Sequence, residues 1–150
     1  MSVELTPQGT RGAKIPKFAQ TMMKLMNGVV AAGMRLFGKR VLRLTTIGSK
    51  TGQSRTVTLG WFPDGDKAWL VVASFGGAAK HPAWYVNMAR NPDKVWIEID
   101  GRRFSVRPES LKGDQRADAW RRITAVAPGY NTYQVNTDRE IPVIRLTPVE

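Results

Sequence analysis

The stretch Gly48-Ser49-Lys50-Thr51-Gly52-Gln53-Ser54-Arg55 gathers groups that hold an anion. Gly48 and Gly52 let backbone N–H groups come close to a ligand. Lys50 offers a point charge, Arg55 a planar fork, and Ser49 and Thr51 their hydroxyls. The spacing is not the G-x-x-x-x-G-K-[ST] of a P-loop, so a solvated basic hairpin turn is an equal reading of these residues alone. A second stretch, Ala73-Ser74-Phe75-Gly76-Gly77-Ala78-Ala79-Lys80-His81-Pro82, leads from an apolar run into a helix start. Unbonded N–H groups at a helix start favour phosphate or carboxylate. Ser74 stands where a hydroxyl can bond the edge of a flat ring; an ordinary strand-to-helix loop is the plainer alternative. Further on, Tyr130 and Tyr133 carry phenols that can stack on a ring, donate a proton or simply pack.

Other chemistries are missing from the sequence. There is no cysteine, hence no disulfide, thiolate metal site or cysteine nucleophile. The single histidine, His81, has no second histidine or cysteine to share a metal, and no metal site is expected. No G-x-S-x-G elbow is present. Next to Pro82, His81 reads more readily as a turn or capping residue than as a catalyst.

The elements that must position these residues follow from periodicity and turn signals. Residues 1–16, rich in Gly, Pro, Thr and charge, read as a flexible arm, and 17–150 as one domain. Apolar residues at near-helical spacing predict a helix over 17–37. It is read as a packing element, with a lid or a membrane-surface helix as alternatives, because lysines and arginines accompany it. Strands are expected over 41–47, 55–62 and 67–74, with turns at 48–53 and 63–66. A helix opens at His81-Pro82 and stops at Asn91-Pro92. Strands over 94–99 and 102–109 flank the tight Asp100-Gly101 turn. A helix covers 113–127, a short aromatic polar segment 129–138, and a last strand 141–146. Hairpins rather than helical crossovers join most strands. That points to an α+β fold: an antiparallel sheet or barrel with helices around it.

Composition adds a partner class. Lys plus Arg total 23 against 12 acidic residues, a net charge of +11. Such an excess suits a polyanion: nucleic acid, an anionic membrane surface, or a phosphorylated or polycarboxylate cofactor. No signal peptide and no spanning apolar run are visible, so a cytoplasmic, and at most membrane-associated, protein is expected.

Three ordered blocks resemble the deazaflavin-dependent nitroreductase family. They are Thr45-Thr46-Ile47 with the basic turn, Ala73-Ser74-x-Gly76-Gly77-x-x-Lys80-His81-Pro82-x-Trp84-Tyr85-x-Asn87, and Tyr130-x-x-Tyr133-Gln134-x-x-Thr137-Asp138-Arg139-x-Ile141-Pro142. The resemblance implies a split β-barrel that binds coenzyme F420, an 8-hydroxy-5-deazaflavin with a phosphate and an oligoglutamate tail. It implies a reductase passing hydride to electron-poor small molecules. By motif, Ser49, Lys50, Thr51, Gly52 and Arg55 would meet the phosphate and tail. Ser74, Gly76, Gly77 and Lys80 would line the coenzyme, with Trp84 and Asn87 behind that wall. Tyr130, Tyr133 and Ser74 would stand on the catalytic side. Family nitroreductases carry one more tyrosine a short turn before Tyr130, where this chain has Val126-Ala127-Pro128. Activated alkenes and quinones therefore stand beside nitroaromatics as acceptors. A homodimer and a peripheral membrane contact through 17–37 are further expectations.

The competing class is a binding protein: a coenzyme carrier without a substrate pocket, or a basic nucleic-acid module. Arg102, Arg103, Arg107, Lys112, Arg116, Arg121 and Arg122 are the residues from which a nucleic-acid face would be built. The block resemblance favours the coenzyme enzyme, with no nucleic-acid partner.

Overall fold

The computed structural model describes residues 3–14 and 40–149. Seven strands form one antiparallel sheet that curls into a half-barrel, in the order β2-β1-β5-β6-β7-β4-β3. They are β1 (Val41–Ile47), β2 (Ser54–Gly60), β3 (Phe62–Pro63), β4 (Trp69–Val72), β5 (Trp96–Ile99), β6 (Arg102–Ser110) and β7 (Val143–Pro148). Among the described residues three α-helices accompany them: α1 (Ala83–Arg90), α2 (Gly113–Val126) and α3 (Gly129–Asn136). A 3-10 turn spans Phe75–Gly77.

Strand β6 joins the two halves of the sheet. Its first residues, Arg102 to Ser105, pair with β5, and Val106 to Ser110 pair with β7. The sheet's two edges are β2 and β3, consecutive in the chain and separated by Trp61 alone. The Trp61 N–H donates to the Arg40 carbonyl at 3.2 Å, so β2 stays in register with β1 up to that residue. No described strand pairs with the outer side of β2, and the barrel is open along it.

Alternation along the strands makes two cores. Leu42, Leu44, Val71, Ile97, Val106, Ile144 and Leu146 point inward, where Trp84, Tyr85 and Met88 of α1 plug the barrel. Leu70, Val72 and Val143 point outward and are covered by Ala119 and Ile123 of α2, with Tyr130 of α3 at the margin. Complete burial of one such aliphatic side chain contributes about 1.5–3 kcal/mol, enough to fix strand register on both faces.

Residues 3–14 correct one expectation. They are not a free arm but lie along the domain. Val3 is part of the inner core. The Thr6 N–H donates to Tyr85 Oη at 3.1 Å, Gly9 N–H to the Ala79 carbonyl at 2.9 Å, and Ala13 N–H to the Gly77 carbonyl at 3.0 Å. Their polar composition concealed this, because main-chain groups and not apolar side chains make most of the contact. The second correction is α3, expected only as a short aromatic polar segment. None of its residues is buried, so it has no apolar stripe to read. Gln134 anchors it instead, accepting from Ile141 N–H at 3.0 Å and donating to the Arg139 carbonyl at 2.8 Å. The helix expected over 17–37, with its proposed membrane contact, lies outside the described residues. Among those described, no helix is long and apolar enough to cross a membrane.

Candidate active site

The basic turn closes the β1–β2 hairpin at one end of the open edge. Gly48 N–H donates to the Gln53 carbonyl at 2.7 Å and Gly52 N–H to the Gly48 carbonyl at 2.9 Å. Buried Asn87, on α1, accepts from Ser49 N–H at 3.0 Å and donates to Thr46 Oγ1 at 3.3 Å. Helix α1 therefore fixes the turn while Lys50, Thr51, Gly52 and Arg55 stay exposed. The Gly48 Cα faces the Arg55 stem, which passes 3.9 Å from where a Cβ would stand. Lys50, Arg55 and Lys80 are in no ion pair among the described residues. By contrast, Arg122 is bonded to Asp118 and Asp64, Lys112 to Glu4, and Arg145 to Asp64 and Glu109. Three exposed cations without carboxylates suit a ligand with several negative charges.

The second wall is the loop after β4. Its backbone turns left-handed at Phe75, Gly76 and Gly77 (φ 44°, 64° and 83°). Ser74 is half-buried, Gly76 exposed and Gly77 buried. Trp84 sits in the inner core behind the loop. Arg139 reaches this loop from beyond α3. Its guanidinium donates to the carbonyls of Ala78 at 2.8 Å, Ala73 at 3.1 Å and Ser74 at 2.7 Å. His81 is buried rather than a helix cap, since Pro82 takes the capping position.

Helix α3 supplies the third wall. A Cβ on Gly77 would lie 2.7 Å from the Tyr133 carbonyl oxygen, so the helix backbone rests directly on the loop. The Tyr130 and Tyr133 rings meet edge to face at 5.6 Å, and Tyr130 also meets Phe62 at 5.8 Å. Tyr133 is more open to solvent than Tyr130. Burial, and then the Tyr133 phenol beside it, pushes Tyr130 above the ordinary phenol value. It is thus a neutral O–H donor at neutral pH.

This curled sheet with a basic turn, a glycine loop and a tyrosine helix has relatives. The family model of F420H(2)-dependent quinone reductases matches residues 17–148. The chain belongs to that family. An F420H(2)-dependent quinone reductase of Mycobacterium tuberculosis is 42% identical over 109 residues, 71% of this chain and 72% of that protein. A solved F420-H2-dependent reductase, FDR-A, superposes with a TM-score of 0.62 at 34% identity, over 71% of this chain and 92% of its own. A second structure, described as a domain-swapped dimer, is 28% identical over 87% of this chain and 96% of its own, with a TM-score of 0.64. This reductase is therefore an oxidoreductase of split-barrel fold dependent on coenzyme F420, as the three sequence blocks implied.

Of the residues singled out by sequence, Ser49, Lys50, Thr51, Gly52 and Arg55 fall on the first wall, and Ser74, Gly76, Gly77 and Lys80 on the second. Trp84 and Asn87 stand behind, and Tyr130 and Tyr133 on the third. The donor set fits a phosphate and polycarboxylate tail at the first wall and a flat ring by the second. Arg139 and Asp138 also act here, although no local pattern in the sequence singles them out. Asp138 holds the reductase's N-terminal residues, accepting from Thr10 N–H at 2.8 Å, Arg11 N–H at 2.9 Å and the Thr10 hydroxyl. These bonds, the Thr10 hydroxyl foremost, lower its carboxyl from 3.8 to about 2. A folded value below the unfolded one stabilises the docked segment above the unfolded value and is lost as pH falls towards about 2. Asp138→Ala is expected to raise amide exchange at residues 9–13 at neutral pH while the barrel melts where it did. Unchanged exchange there would show that the other bonds suffice.

Proposed function

We propose that this reductase delivers hydride from reduced coenzyme F420 to quinones, and to other electron-poor acceptors such as enones, in the open groove between β2, the loop 74–80 and α3. The observation that carries the reading is that Asn87 ties the basic turn to α1, the left-handed glycine loop leads into the same helix, and the tyrosine helix rests on that loop at Gly77. Lys50 and Arg55 would hold the phosphate and glutamates as charge-assisted partners, with Ser49, Thr51 and Gly52 beside them. Ser74 and Gly76 would take the polar edge of the ring, and Lys80 a further negative group. When bound, the coenzyme supplies the hydride from a ring carbon. Binding then has to place the acceptor against that carbon at contact distance. As a hydride, two electrons with one proton, reaches a quinone, charge grows on its carbonyl oxygen. The protonated Tyr130, or the more exposed Tyr133, would donate to that oxygen, and the product would leave as the quinol.

Titration with oxidised F420, with FMN as comparator, tests the assignment, followed by oxidation of the reduced coenzyme on adding a soluble naphthoquinone. Tight F420 binding, weak FMN binding and quinone-dependent oxidation are expected. Equal or stronger FMN affinity overturns it, and binding without oxidation would leave a carrier. Tyr130→Phe is expected to bind coenzyme normally and to slow single-turnover oxidation about tenfold, the value of one lost hydrogen bond to developing charge. If both Tyr130→Phe and Tyr133→Phe keep the wild-type rate, the proton comes from water. A raised KM at constant kcat would mean that the rings only shape the pocket.

A further inference from the structure

We propose that Arg139, set in place by His81, is the positioning residue of the loop 74–80: it draws the loop's carbonyls inward so that Ser74 and Gly76 present their donors to the ring. The proposal rests on the coenzyme assignment above for what the loop receives, and on geometry alone for how the loop is held.

Arg139 is 3% exposed, and no carboxylate pairs with it among the described residues. A buried guanidinium without a counter-ion needs its donors satisfied by other means. Here the acceptors are backbone carbonyls of the loop itself. Nε bonds Ala78, Nη1 bonds Ala73, and Nη2 bonds Ser74. The docked N-terminal segment takes the carbonyls of Gly77 and Ala79. Ser74 and Phe75 carbonyls also accept from Gly77 and Ala78 N–H, closing the 3-10 turn. With the carbonyls so occupied, the exposed Gly76 N–H donates to no acceptor among the described residues. The peptide dipoles are turned, and the loop presents donors outward. Three successive left-handed residues would not hold this shape unaided, since the side chain of Phe75 is disfavoured in that region.

His81 completes the clasp and makes it conditional. Its Nδ1 lies 3.3 Å from Arg139 Nη1 and its Nε2 lies 2.8 Å from the Thr6 carbonyl. A guanidinium can only donate, so Nδ1 must accept. The proton is then on Nε2, which donates to Thr6. A second proton, on Nδ1, would replace the acceptor with a donor facing a cation. Burial holds His81 below its ordinary value. The bonds to the Thr6 and Pro7 carbonyls oppose that, and the Arg139 charge adds to it. Among the described residues the groups facing the ring are Arg139, Thr6, the Pro7 carbonyl and the Tyr85 ring at 4.8 Å; no carboxylate is among them. Acid should therefore loosen the clasp as pH falls below the unfolded histidine value of 6.5.

Full-length Arg139→Gln, Arg139→Lys and His81→Asn test this. Asn keeps a carbonyl acceptor but does not titrate. The first measurement is amide exchange of the coenzyme-free protein. Arg139→Gln should lose protection about tenfold or more at residues 74–79 and keep it in β1 and β7, with Arg139→Lys between it and wild type. Should Arg139→Gln fail to fold, Arg139→Lys and His81→Asn carry the same comparison. The second is oxidised F420 affinity at pH 7.5 and 5.5. Arg139→Lys should bind about tenfold more weakly at pH 7.5. The wild-type affinity should fall relative to His81→Asn by about threefold or more on acidification, because the coenzyme's own ionisations are common to both proteins. Wild-type exchange at 74–79 in the folded Arg139 variants overturns the clasp. So does a ratio of wild-type to His81→Asn affinity that is flat with pH. Absence of F420 binding by wild type sinks the coenzyme assignment instead, and the exchange measurement still decides the clasp.

Discussion

Lys50→Ala combined with Arg55→Ala is expected to weaken F420 binding by about a hundredfold and leave the thermal midpoint almost where it was. Each substitution removes a charge-assisted contact of about 1.5–3 kcal/mol, or roughly tenfold or more in affinity. Both side chains are exposed and neither is in an ion pair among the described residues, so folding loses little. Surface changes away from special features move stability by about 0.5 kcal/mol or less. The turn itself is closed by main-chain bonds and by Asn87, which the substitutions leave alone. A control separates site contacts from general attraction. Arg107→Ala removes an exposed cation on β6 and should cost only the long-range part, which salt screens over about 8–10 Å. Calorimetric titration at two ionic strengths reads both. If the double variant binds like Arg107→Ala, the turn is only a solvated hairpin, and the groove holds its coenzyme by other residues.

Much of this arrangement was legible from side-chain types. The strand over 41–47 announces itself by its run of β-formers, and the strand over 102–109 by its return from the tight Asp100-Gly101 turn. The turn 48–53 is legible because glycine and hydroxyl residues cluster between two such strands. What the sequence hides is held by main-chain groups. Residues 3–14 dock through N–H and carbonyl bonds that carry no side-chain signature. Helix α3 rests on Gln134 and on contact with Gly77, so apolar periodicity misses it. Arg139 looks like one more surface cation in a chain of net charge +11, and only its carbonyl partners reveal it as interior. His81 reads from the sequence as a turn or capping residue, and its partners at Thr6 and Arg139 come from distant segments that no local pattern joins. The acceptor preference is the hardest part to read. The Val126-Ala127-Pro128 stretch, where the resemblance leads one to expect a further tyrosine, names no acceptor.

Gly77→Ala is expected to cost this reductase a large part of its stability. Two effects coincide there. The backbone is left-handed, with φ 83°, which disfavours any L side chain by about 1–2 kcal/mol. The new Cβ would also stand 2.7 Å from the Tyr133 carbonyl oxygen and 3.0 Å from its Cα. Those are main-chain atoms, so no rotamer change relieves the clash; either α3 or the loop must move. Overpacking of this kind costs about 1–3 kcal/mol. The sum, about 2–5 kcal/mol, lowers the melting temperature of a domain this size by roughly 10 °C. Gly65→Ala supplies the comparison. It has φ 69° in the β3–β4 turn with nothing within 4 Å of the added methyl, so it carries the backbone term alone. The difference between the two melting temperatures isolates the contact between α3 and the loop. Truncating the neighbour, as Tyr133→Ala, should not rescue Gly77→Ala, because the obstructing atoms remain. Coenzyme affinity should fall with Gly77→Ala and hold with Gly65→Ala, since only the former displaces Ser74 and Gly76 relative to Tyr130. Equal melting temperatures for the two variants would mean that α3 does not rest on the loop, and the third wall of the groove would have to be redrawn.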